Sequence, residues 1–298
     1  MRRILIAAAI ILIGWFALKD WAYGFVVGTA ETTPETPDYY YDEVWLERPG
    51  ETPPGGWEEP WGVDLFVIPP PVSTPTRAGL IPASSDLLKS EFAKMLESSG
   101  LSDDSYMIYA PGLRSPSPAS TGSMRAAEME TAKKDVAEAM KRYVSAENRL
   151  RGLIIVASPD SEPLVAAALQ QLPEDETFRQ RFGGILLPEG KNLSRWSEPA
   201  GACSPAFDGC AVKTTLNAES GMLSWIKPNL ARSPRTYSVE EGFLATVDTR
   251  IETLSNWLEL NADKPAEPFD TWAADEVVDV APIRRPNAEE DISGERGN

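Results

Sequence analysis

The sequence predicts an α/β fold, a mostly parallel sheet with helices on both faces, and three observations carry that expectation. Short apolar runs alternate along the chain with longer segments of helical periodicity. Val63-Asp64-Leu65-Phe66-Val67-Ile68 and Leu153-Ile154-Ile155-Val156-Ala157 are near-continuous and rich in branched residues, as strands covered on two faces are. The second run breaks sharply at Ser158-Pro159-Asp160-Ser161-Glu162-Pro163 into an alanine-rich segment starting at Leu164. A strand, a tight turn and a helix in that order form the corner where α/β enzymes place a nucleophile.

The elements follow in order. Arg2 and Arg3 precede an uncharged run from Ile4 to Leu18, which Lys19 and Asp20 interrupt. Trp15, Trp21 and Tyr23 suit a membrane interface, so residues 1–28 read as an N-terminal transmembrane helix, with the rest of the chain exported. The competing reading is a cleaved signal segment ending at Gly28 and Ala30. At about 1.5 Å per residue the run reaches only about 22 Å of the roughly 30 Å that a bilayer requires. Residues 29–60 are rich in Pro, Glu and Thr and read as a linker, except that Pro37 to Leu46 carries enough aromatic mass to pack as a flank. The domain itself is expected over 61–283 and a polar, disordered tail over 284–298.

Within the domain, Val63–Ile68 is a strand stopped by Pro69-Pro70-Pro71. Leu87, Leu88, Phe92, Met95 and Leu96 share a face of a helix from Asp86, which Gly100 ends. Tyr106–Ala110 is a strand and Met124–Val144 a helix whose apolar face includes Val136, Met140 and Tyr143. After the focal strand and helix come strands at Gly183–Leu187 and Ala211–Thr215, a helix over Val239–Leu260 and a final strand at Glu276–Val280.

At 298 residues and 42% hydrophobic, the chain can form one large core. Its net charge of −17, with no basic stripe, argues against nucleic acid as a partner. Cys203 and Cys210 sit in a stretch of turn formers and read as a disulfide of an oxidising compartment. Their spacing and the absence of histidine fit neither a redox pair nor a zinc site, so no metal and no cofactor is expected.

Several short segments in common order resemble a bacterial branch of the α/β-hydrolase superfamily, membrane-anchored exported proteins classed mostly as a domain of unknown function. They are Pro37-Asp38-Tyr39 followed by Trp45, the Val63–Ile68 strand, Lys134-Asp135-Val136 with Tyr143 before Arg151, Phe178–Phe182, and Cys203 with Cys210. The resemblance implies an α/β-hydrolase-like sheet and, after Arg151, a strand running into Gly-His-Ser-Gln-Gly-Ser. Aligned without gaps, this chain puts Pro159 at the nucleophile position. A slip of two residues puts Ser161 there, with Glu162 in place of the glutamine. Neither register keeps the glycines that allow the strained turn.

The chain has no histidine, so a serine–histidine triad cannot form. A Ser161–Lys213 arrangement or carboxylate chemistry by Asp160 and Glu162 stays formally open, and Asp160 or Ser161 reads first as the cap of the following helix. Asp64 and Asp279 are possible former site residues, more simply read as solvent-facing strand positions. The expectation is therefore a degenerate elbow at Ser158, Pro159, Asp160, Ser161 and Glu162 with no catalytic residue. The protein would be a membrane-tethered pseudoenzyme on the periplasmic side of the inner membrane, or outside the cell, binding an envelope protein partner. The alternative is a histidine-free hydrolase of esters or similar bonds.

Overall fold

The computed structural model describes residues 32–49, 62–73, 76–102, 106–148, 151–188, 203–214, 216–219, 235–239 and 241–262, with residues 4, 6–8, 10–15, 28 and 30 of the N-terminal stretch. A mixed, mostly parallel six-stranded sheet organises them. Its strands are β1 (Trp45–Glu47), β2 (Val63–Ile68), β4 (Met107–Pro111), β6 (Gly152–Ala157), β7 (Phe182–Pro188) and β8 (Ala211–Thr214), in the order β1-β4-β2-β6-β7-β8. Only β1, at one edge, runs antiparallel to its neighbour. Two small antiparallel pairs lie apart from it: β3 (Leu80–Ile81) with β5 (Ser115–Pro116), and β9 (Leu216–Glu219) with β10 (Thr236–Val239).

Successive side chains of a strand point to opposite faces, and each face has its own core. Phe66, Ile68, Leu153, Ile155 and Ala157 pack against α2 (Gly122–Arg142), α3 (Glu162–Leu169) and α4 (Glu176–Arg181). Leu65, Val67, Ile154 and Val156 pack against α1 (Asp86–Ser99) and α5 (Phe243–Asn261). Ser85 caps α1 by accepting from the Leu87 amide, and Gly100, in the left-handed region at φ 73°, closes it.

Several sequence expectations need correction. Among the described residues no helix is long and apolar enough to cross a membrane. That finding overturns the expected transmembrane helix over residues 1–28, whose uncharged run of about 22 Å falls short of the roughly 30 Å of a bilayer. Val239 closes β10, and α5 begins only after Gly242, whose φ of 106° turns the chain between them. The helix from Gly122 widens at Tyr143–Glu147 into a π-turn, with the Asn148 amide donating to the Tyr143 carbonyl five residues back. The expected strand at 276–280, Asp279 and the tail at 284–298 lie outside the described residues.

The disulfide between Cys203 and Cys210 is formed. Its loop docks on β7, where the Ser204 amide donates to Phe182 O and the Ile185 amide to Cys210 O. Arg250 of α5 donates to Gly183 O and Gly209 O and lies 3.9 Å over the Phe207 ring, its pKa lowered by burial to about 10. A Cβ on Gly184 would meet Cys210 O at 2.2 Å, so this contact requires glycine.

Candidate functional site

Parallel α/β sheets present their ligand sites beyond the carboxyl ends of the strands, at a point where the strand order reverses. Here β2 is flanked by β4 and β6, so the turn after β6 lies at such a point. It is held against β2 by the Ser158 amide, which donates to Ile68 O at 3.2 Å. The Ser161 amide closes back on Ser158 O at 3.0 Å, with Pro159 and Asp160 between them. Proline at the second position and a positive φ at the third define a type II β-turn. Asp160 has φ 66°, the only positive value at a non-glycine among the described residues. The apex of the turn is thus Asp160, between the two registers that sequence alignment allows.

The candidate side chains divide sharply by access. Ser158 and Ser161 are both fully buried. Ser158 Oγ donates to the Met95 sulfur at 2.9 Å, and Ser161 Oγ to Ser158 O at 2.7 Å. Ser161 stands at the N-cap position of α3 with proline in the first turn, as expected, although its side chain makes no capping bond. Pro159 is buried and Glu162 half-buried in the first turn of α3. Lys213 is exposed on β8, with β7 between it and β6, so the structure does not bring it to Ser161.

Asp160 alone reaches outward, with its side chain 55% exposed, and its carboxylate pairs with Arg235 at 2.7 Å. Arg235 enters β10, is itself buried, and donates to Pro71 O at 3.1 Å, while its amide donates to Ser73 Oγ. Ser73 Oγ in turn donates to Glu91 of α1, which also accepts from the Tyr237 hydroxyl. The guanidinium therefore stitches the turn, the loop after β2 and β10 together across the mouth of the site. Nothing in the sequence around Arg235 signals this role, because the pairing spans from residue 160 to residue 235.

Over the turn lies a cavity of only about 20 Å³, lined by Pro69, Pro70, Leu88, Leu113, Pro116 and Leu164 among others. That space admits about one water molecule. An oxyanion hole at such a corner uses the amide after the nucleophile and an amide from a neighbouring strand's loop. At the apex of this turn the amide that follows Asp160, that of Ser161, is already bonded to Ser158 O. The loop after β2 opens with Pro69-Pro70-Pro71, none of which has an N–H to give.

The opposite end of the same strands holds a second polar cluster. Asp64, near the start of β2, is fully buried, not solvent-facing, because β2 is central and covered on both faces. It accepts from Arg151 Nε at 2.5 Å, the Tyr143 hydroxyl at 2.8 Å and Asn148 Nδ2 at 3.2 Å. Burial pushes the Asp64 carboxyl up and Arg151 pulls it back. Burial, and Asp64 beside it, push the Tyr143 hydroxyl well above its ordinary value. Among the described residues no group of His, Cys, Asp and Glu could hold a metal. Comparison with protein-family models and with curated proteins finds no match.

Proposed function

We propose that the chain is an exported pseudoenzyme of α/β-hydrolase type, a binding or assembly component of the bacterial envelope whose former catalytic corner is closed. The observation that carries the reading is the Asp160 apex, locked to Arg235 beside a cavity with room for about one water. Both serines that could act as nucleophiles are buried and already donating, and no histidine exists to take a proton from either. The disulfide supports the exported part of the reading, since such bonds persist in oxidising compartments.

A fluorophosphonate probe tests the proposal on the full chain. No labelling of Ser158 or Ser161 is expected under conditions that saturate an active serine hydrolase. Covalent labelling at either serine, lost on replacement by alanine, would sink the pseudoenzyme reading. Free Cys203 and Cys210 thiols in protein from its own cells would sink the exported part.

A further inference from the structure

We propose that a groove on the N-terminal flank docks a basic, extended segment of a partner protein. The inference rests on the reading of the chain as a binding component and supplies the chemistry of its partner. The groove is open, about 360 Å³ in volume, and runs between residues 34–44 and the loop at Pro82-Ala83-Ser84. That volume falls in the range of ligand-holding clefts.

The walls select for a donor-rich cation. Pro34, Pro37 and Pro82 line the groove and have no N–H, so the backbone there offers carbonyl acceptors and few donors. Three carboxylates, Glu35, Asp38 and Glu43, complete the lining and are exposed. None of them has an ion-pair partner among the described residues. Arg114, which reaches this flank at Thr36, is neutralised by a bidentate pairing with Asp135.

Tyr41, 59% exposed, supplies a ring face in the same groove. A guanidinium can stack on such a face. The neighbouring Tyr40 ring already carries one, with Arg142 at 4.1 Å from its centroid.

The groove is also built in advance of any partner. Tyr39, buried between these exposed residues, donates its hydroxyl to Gly112 O at 2.8 Å, and Trp45 Nε1 donates to Tyr39 O. Arg114 holds Thr36 Oγ1, and the Gly112 amide donates to Val44 O. A wall fixed by contacts to the sheet loses little entropy when a partner is seated.

The test uses the full chain and a short fluorescent peptide alternating arginine and proline, followed by anisotropy at near-physiological salt. The triple variant Glu35→Gln/Asp38→Asn/Glu43→Gln is expected to weaken binding about tenfold. Asn at 38 keeps the acceptor for the Tyr40 amide. A matched triple, Glu97→Gln/Glu252→Gln/Glu259→Gln, removes the same charge from exposed faces of α1 and α5 and should leave affinity within about twofold. Tyr41→Ala should weaken binding about threefold or more, and decides the matter if the triple variant does not fold. Equal loss from both triples would mean attraction to net charge alone and would overturn the proposal, as would no binding by the parent chain. Failure here with a silent fluorophosphonate leaves the pseudoenzyme standing, whereas labelling with intact peptide binding removes the pseudoenzyme and keeps the groove.

Discussion

Two aspartate–arginine pairs stand at opposite ends of the same two strands. Asp64 and Arg151, where β2 and β6 begin, are both buried, with side-chain exposures of 0% and 7%. Asp160 and Arg235, beyond the end of β6, combine a 7% exposed guanidinium with a carboxylate 55% in solvent. The chemistry of the two pairs is the same and their energetics are not. A fully buried pair, broken on one side, leaves an unpaired charge in the interior, whereas a half-exposed carboxylate is already solvated when its partner goes. The deeper pair sits where the two strands begin, and the shallower pair sits beyond their carboxyl ends, where parallel α/β sheets present their ligand sites.

The largest expected effect is therefore at Arg151. Arg151→Ala should cost about 3–5 kcal/mol at neutral pH in denaturant unfolding, because Asp64 keeps only Tyr143 and Asn148. The pH dependence follows from the raised Asp64 pKa. A carboxyl whose folded pKa is raised binds its proton more tightly in the folded state, so its contribution is fully present below the ordinary value of 3.8 and is lost as pH rises through the folded pKa. The Arg151→Ala deficit should accordingly shrink on acidification toward pH ~4. A deficit under about 1 kcal/mol at neutral pH would erase the contrast between the two ends.

A smaller effect belongs to the disulfide, whose loop docks at the start of β7 on the same side of the sheet as Asp64. Replacing Cys203 and Cys210 with serine should cost about 2.5 kcal/mol in the chain-entropy picture of a short loop. Hydrogen exchange should locate the loss at 203–210 and the first residues of β7. Uniform loss across the sheet would show that the loop supports the whole domain.

The sheet was legible because its strands are short apolar runs bounded by proline and turns, and β2, β6 and β7 announce themselves that way. Asp64 misled because a polar residue in an apolar run suggests a solvent-facing position, and only the strand order shows that β2 has no such face. The apex of the turn was legible in principle. Proline at 159 presets the second position of a β-turn, which leaves Asp160 at the third, and aspartate tolerates positive φ better than most side chains. The groove on the flank was not legible, since it depends on Tyr39 turning inward while Tyr40 and Tyr41 turn out, which three consecutive tyrosines do not disclose.

The smallest expected effect tests the outer pair itself. Asp160→Asn keeps a side chain that tolerates φ 66° and removes only the charge, so what is lost is the ion pair with Arg235. Arg235 retains its bond to Pro71 O, and solvent at Asp160 screens the pair, which limits the cost to about 1 kcal/mol. A double-mutant cycle with Arg235→Gln should give a coupling of the same size. Asp160→Gly loses the pair as well but relieves the positive φ, so it should be no less stable than Asp160→Asn. A coupling energy near that of the Asp64–Arg151 pair would break the comparison, because it would make the closed corner a structural element as firm as the buried one.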